Sequence, residues 1–144
     1  MLKTLSIIGY FGMVAGLVGL VVLRSVFSPS PFAIAAQVAA AMLLIWARIT
    51  FGWRSYHVVA NPTEGGLVTS GPYRYLRHPI YSAICVFTAA AVAAHWSWAT
   101  AACGVFVFGC TVLRIYCEET LVAARYPEYR HYATTTWRMI PYVY

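Results

Sequence analysis

Residues 80–117 read IYSAICVFTAAAVAAHWSWATAACGVFVFGCTVLRIYC, an almost unbroken apolar run. One helix of that length would extend about 57 Å, far past the roughly 30 Å of hydrocarbon in a bilayer. The run must therefore break. His95-Trp96-Ser97-Trp98 supplies the break, a polar and aromatic cluster of the kind enriched where membrane meets water. The spacing predicts two helices folded back as an antiparallel hairpin. Residue 98 is the midpoint of His78 and Glu118, so folding there returns both to one depth on one side.

Working outward, Leu5 to Leu23 carries no charge and is bracketed by Lys3 and Arg24. It is long enough to span as a helix. Its apolar core is too long for a signal peptide and no small-x-small site follows, so it is read as a retained anchor. Gly9, Gly12, Gly16 and Gly19 recur at steps of three and four, baring one face for close approach of another helix. That neighbour lies either in the same chain or in a second copy, which makes a homo-oligomer one option. Ser28-Pro29-Ser30-Pro31 reads as a turn. Phe32 to Ala47 is a second span, short unless Ile49 to Trp53 extends it. Residues 54–79 form the longest polar stretch, with Asn61-Pro62, Gly65-Gly66, Gly71-Pro72 and His78-Pro79 as loop or helix-start signals.

The expected fold is an all-α integral membrane bundle of about four transmembrane helices. It divides into an N-terminal helix pair, 1–53, and a core, 54–144, of loop, hairpin and tail. Four spans bring both termini to one face. That face would hold Lys3, Arg48, Arg54, Arg74, Arg77, Arg114, Arg125, Arg130 and Arg138, and the other only Arg24. This asymmetry puts the polar loop, the tail and both termini in the cytoplasm. The small size and short spans point to a bacterial inner membrane.

Composition agrees. Hydrophobic residues make up 61% of the 144 and charged ones 10%, against roughly 25% charged in an average soluble domain. Such a chain cannot coat a soluble globule, nor is it disordered. The net charge of +6 does not indicate nucleic acid, because the cations are scattered between apolar stretches. All four acids are glutamates (64, 118, 119, 128), so Asp-based metal chemistry is excluded. Cys103, Cys110 and Cys117 lie seven apart, about 10 Å per step on one helix face, too far to bridge. With Cys85 they read as packing residues. No Cys-x-x-Cys or His-x-x-x-His spacing supports a metal centre.

Two polar clusters remain. The first runs Thr69-Ser70-Gly71-Pro72-Tyr73-Arg74-Tyr75-Leu76-Arg77-His78-Pro79-Ile80-Tyr81. The second is Glu118-Glu119-x-Leu121, then Tyr126-Pro127-Glu128-Tyr129-x-x-Tyr132 and Arg138-x-Ile140-Pro141. Each has a bland reading: an interfacial carboxylate pair balanced by Arg114 and Arg125, and a His-Pro helix start beside an arginine on lipid phosphate. Taken together they resemble the isoprenylcysteine carboxyl methyltransferase family, relatives of phospholipid N-methyltransferases, over residues 67–141. One departure is Ala83, where the family usually has glycine, which bears on the shape of the pocket.

The resemblance implies an S-adenosyl-L-methionine-dependent membrane methyltransferase acting on a lipophilic or prenylated acceptor, in contact with membrane lipid. Its cofactor-binding residues would be Gly71, Pro72, Tyr73, Tyr75, His78, Tyr81, Glu118 and Glu119, and its catalytic residues Arg77, Glu119 and Arg138. Glu118 or Glu119 would accept from the cofactor's ammonium or ribose. Arg77, His78 or backbone N–H groups of the turn would hold its carboxylate. Tyr73, Tyr75 and Tyr81 would wall the adenine. A carboxylate acceptor needs only an orienting arginine, Arg77 or Arg138, whereas an amine needs a base, His78 or a glutamate. Arg114 either pairs with Glu118 or reaches into the pocket. His57 and His131 are placed in solvated loops and His95 at the distal turn. Trp137 and Tyr142 to Tyr144 are interfacial anchors or a lid. No Gly-x-Gly-x-Gly run supports a Rossmann-type methyltransferase. The competing readings are a sterol-reductase-like enzyme using NADPH and a non-enzymatic membrane protein.

Overall fold

Proline sets two of the helix starts. Pro31 and Pro79 each occupy a first-turn position, where the missing N–H costs nothing. The computed structural model describes residues 1–27, 30–52 and 66–143. Within these the elements are α1 (Leu2–Val22), α2 (Pro31–Phe51), a 3₁₀ turn (Gly71–Arg74), α3 (Pro79–Ala94), α4 (Trp98–Arg125) and α5 (Tyr129–Thr135). Three of them, α1, α2 and α4, are long and apolar enough to cross a membrane, and α3 is a shorter apolar helix of 16 residues. The chain is an all-helical integral membrane bundle. Arg54, His57, Asn61-Pro62, Ser28-Pro29, Tyr144 and the expected boundary at 53–54 lie outside the described residues.

The hairpin turns where the sequence breaks. Helix α3 ends at Ala94 and α4 begins after Ser97. Ser97 Oγ accepts from Thr100 N at 3.1 Å, and Thr100 Oγ1 accepts from Ser97 N at 2.9 Å. This reciprocal pair satisfies two amides at the start of α4. Trp96 and Trp98 are exposed at this end. Helix α4 then continues past the apolar run to Arg125, so Glu118 and Glu119 are helical.

The helices lie in the order α1, α4, α3, α2, with α1 along α4, α2 along α3, and a narrower contact between α3 and α4. Outward faces are apolar, as with Phe11 and Val18 on α1, Met42 and Ile49 on α2, and Val105 on α4. Lipid is their natural solvent. Lys3, Arg48, Arg74, Arg77, Arg114, Arg125, Arg130 and Arg138 belong to the end where α1 and α3 begin and α2 and α4 finish; Arg24 belongs to the other.

The glycine face of α1 is filled by α4 of the same chain. A Cβ on Gly12 would lie 2.6 Å from Cys110 Sγ, one on Gly16 2.6 Å from Val107 Cγ2, and one on Gly19 2.9 Å from Cys103 Sγ. The bare stripe thus receives α4 side chains as knobs, and the seam open to a second copy in the sequence is closed within the chain. Cys85, Cys103, Cys110 and Cys117 are free thiols. Gly109, with nothing within 4 Å, is the contrasting case. Gly16→Val should destabilise the protein by about 1–3 kcal/mol through overpacking. Gly109→Ala should be neutral or stabilise by up to about 1 kcal/mol through helix propensity. Thermal unfolding in detergent reads both, and a Gly16→Val protein as stable as wild type would show that the seam is not tightly packed.

Candidate active site

Adjacent glutamates on a helix point about 100° apart, so each must find its own counterions. Glu119 finds them on two segments far away in the chain. Arg77 Nε donates to Glu119 Oε1 at 2.9 Å, and Arg138 Nε donates to Oε2 at 3.0 Å. His78 Nε2 lies 3.3 Å from Oε1. Both carboxylate oxygens are therefore engaged.

Glu118 is held from the membrane side. Tyr81 donates its hydroxyl proton to Glu118 Oε1 at 2.5 Å. Arg114 Nε pairs with the same oxygen at 3.1 Å and also bonds the Tyr81 hydroxyl. The second oxygen, Oε2, faces the His78 ring, with Nδ1 at 3.9 Å. The Glu118 side chain keeps 23% of its surface exposed, against 13% for Glu119.

The tail is stitched to the start of α3. Arg77 N donates to Trp137 O at 2.7 Å, His78 N to Arg138 O at 2.9 Å, and Trp137 N to Tyr75 O at 3.1 Å. Leu76 and Trp137 form a single parallel β-bridge. Arg77 Nη1 caps the carbonyls of Ala133 and Thr136 at 2.7 and 2.6 Å, and Ser82 Oγ donates to Met139 O at 2.7 Å. Tyr132 donates to Tyr73 O at 2.6 Å. One arginine thus joins three pieces: the loop before α3, the end of α4 and the tail.

The expected site residues separate into two groups. Arg77, His78, Tyr81, Glu118, Glu119 and Arg138 meet in one cluster. Gly71, Pro72, Tyr73 and Tyr75 form the adjoining 3₁₀ turn, and local packing accounts for the first three. Gly71 has φ +56, and a Cβ there would lie 2.5 Å from Thr50 Oγ1, so turn and close approach both require glycine. Pro72 and Tyr73 are buried, with the Tyr73 ring 5.3 Å from that of Phe51. Tyr75 is 54% exposed. An open cleft of about 560 Å³ is lined by Thr50, Phe51, Gly52 and residues 67–70, with neither carboxylate in its lining. His95 caps α3 at the distal end. His131 is exposed but sits on α5 rather than in a loop, because the Tyr-rich segment winds into a helix there. Ala83 is almost wholly buried. No metal-holding group of His, Cys, Asp or Glu occurs among the described residues.

Sequence reasoning missed Tyr129 as a site residue. Its hydroxyl is buried and finds no hydrogen-bond partner of good geometry among the described residues. Burial, reinforced by the nearby Glu119 carboxylate, pushes its pKa well above the usual phenol range, and burial pushes Tyr132 up to about 12. Both stay protonated donors near neutral pH. The signal was the Tyr129-x-x-Tyr132 spacing, which puts the two rings near one face of α5.

Removing Arg77 should unlatch the tail. Arg77→Ala should destabilise docking of residues 129–143 by about 2–3 kcal/mol, below the range for a fully buried pair. Arg77→Lys should not rescue it, because one ammonium cannot reproduce the fork. Amide hydrogen exchange in the tail measures this. Unchanged protection in Arg77→Ala would mean that the backbone bridge alone holds the segment.

The isoprenylcysteine carboxyl methyltransferase (ICMT) family pattern matches residues 32–124. The match takes in α2, the 3₁₀ turn, the hairpin and both carboxylates; it begins after α1 and ends before α5 and Arg138. No curated protein and no solved structure matches the chain. A match over that much of the chain carries the assignment: this chain belongs to the isoprenylcysteine carboxyl methyltransferase family and is a membrane methyltransferase of that kind.

Proposed function

We propose that this protein methylates the carboxylate of a lipophilic, prenylated acceptor, using S-adenosyl-L-methionine, at the cytoplasmic surface of the membrane. The observation that carries the reading is the meeting of Arg77, His78, Arg114 and Arg138 around Glu118 and Glu119 at the cation-rich end of the bundle.

The donor set suits the cofactor. Tyr129 offers a buried hydroxyl with no partner of good geometry among the described residues. Glu118 Oε2 offers an acceptor beside the His78 ring, with Nδ1 at 3.9 Å. When bound, S-adenosylmethionine supplies an activated methyl group on a sulfonium, open to in-line displacement. Glu118, rather than Glu119, accepts from the ammonium, because both Glu119 oxygens are committed to arginines. Arg77 is spent on the tail carbonyls and Glu119. Arg138, with 39% of its side chain exposed, is then the arginine that orients a carboxylate.

Charge favours an anionic acceptor. Three guanidinium groups face two carboxylates, leaving a positive surplus among these five groups alone. That surplus attracts a carboxylate and repels a protonated amine. A carboxylate is already a nucleophile, so the residues need only align it. Location suits both reactants, since the cluster lies where lipid and water adjoin.

Calorimetric titration with S-adenosylhomocysteine and, separately, NADPH tests the cofactor. Heat is expected from the first alone, and Glu118→Gln should weaken binding about tenfold to a hundredfold. Heat from NADPH alone, or wild-type affinity in folded Glu118→Gln, would overturn the reading. Methyl label should pass to an S-farnesylated cysteine derivative; label found only in phosphatidylethanolamine would replace the carboxylate acceptor with an amine.

A further inference from the structure

Arg114 sits one helical turn from Glu118, about 6 Å deeper in the bundle. It is only 4% exposed. A guanidinium at that depth is costly unless fully compensated. Part of its compensation comes from the hairpin, through Tyr81 and Glu118. Another part comes from α1. Arg114 Nη1 donates to the Ser6 carbonyl at 3.1 Å, and its Cζ lies 5.1 Å from the centroid of the Tyr10 ring. Gly9 permits this approach: a Cβ there would lie 3.1 Å from Cys110 O and 3.6 Å from Arg114 Cβ. Ser6 is fully buried at the contact.

Helix α1 precedes the family match at 32–124, so nothing in that match gives it a part in the chemistry. We infer that α1 is a working part of the cofactor site: Ser6 and Tyr10 fix Arg114, and Arg114 fixes Tyr81 and the Glu118 carboxylate. This rests on the reading of Glu118 as the cofactor's acceptor. Arg114 and Tyr10 are positioning residues, since neither needs to touch a ligand. The rotamer of Glu118 is set by Tyr81 and Arg114 together. Loss of the α1 contacts removes two of the groups that hold Arg114, and its shift carries Oε1 with it, which misaims Oε2.

The test is S-adenosylhomocysteine affinity of the full chain in detergent, measured on folded protein. Tyr10→Leu removes the π-face and should weaken binding about fivefold. Arg114→Gln should weaken it about tenfold or more. The two should not add: in an Arg114→Gln background, Tyr10→Leu should cost nothing further, because both act through one guanidinium. Tyr10→Phe, which keeps the ring, should recover most of what Tyr10→Leu loses. Ile8→Ala, on the exposed face of the same helix, should bind as wild type. A helix that serves only as an anchor would lower the unfolding temperature in Tyr10→Leu and leave the affinity of the folded protein untouched, which would overturn the inference. Additive losses would overturn it too. A wild-type protein that binds no S-adenosylhomocysteine would bring down the cofactor reading and this inference with it, whereas wild-type affinity in folded Tyr10→Leu would overturn this inference alone.

Discussion

A carboxylate at the end of a membrane helix has to be neutralised locally, and Glu119 is neutralised by residues that start out far apart. Arg77 and His78 come from the loop before α3, and Arg138 from the tail after α5. Satisfying this one side chain brings three segments into register. The backbone bridge between Leu76 and Trp137 and the Ser82–Met139 bond then tighten what the charge has gathered. Without Glu119, Arg77 and Arg138 would face each other with their mutual repulsion unscreened, and the tail would lose its reason to fold back. The latch is a charge balance before it is a binding site.

That latch needs a stable platform, which the membrane part supplies without much hydrophobic driving force, since lipid is as apolar as the side chains it meets. Close packing does the work instead. Small residues on α1 let α4 approach until Cys103, Val107 and Cys110 fit against bare backbone. The row order α1, α4, α3, α2 gives each hairpin helix one outer neighbour. Both are thereby held laterally while their ends stay open to water at the carboxylates. The cysteines, which in a secreted chain would suggest bridges, here are spacers of the right size.

Much of this was legible in the sequence, for definite physical reasons. The hairpin was readable because a 57 Å helix cannot fit a bilayer and only one cluster could break it. The meeting of Arg77 and His78 with the glutamates followed from that fold alone. Other features were not. The partner of the glycine stripe was undetermined, because bare backbone fits any close helix; the structure gives it to α4. Gly71 and Tyr73 read as binding residues in a motif, and the structure adds packing of Gly71 on Thr50 and of Tyr73 on Phe51 that no linear pattern could show. Arg114 was ambiguous between pairing and pocket, since its partner on α1 lies more than a hundred positions away. Tyr129 escaped notice because burial of its hydroxyl near Glu119 is a fact of three-dimensional packing, and the Tyr129-x-x-Tyr132 spacing alone does not place it there.

Two neighbouring carboxylates look interchangeable in a sequence, but their surroundings separate them. Glu119 is gripped on both oxygens by cations from the loop before α3 and from the tail, so its orientation is fixed from two sides. Glu118 is gripped on one oxygen, by a tyrosine and an arginine rooted in the membrane helices, and its other oxygen is left beside an imidazole. A group fixed on one side and open on the other is what recognition requires, since a preorganised acceptor spares the entropy of ordering it on binding. A group fixed on both sides is what a fold requires. The helical step of about 100° between adjacent residues is what lets one Glu-Glu pair serve both ends, with Glu119 turned toward the tail and Glu118 toward Tyr81 and Arg114.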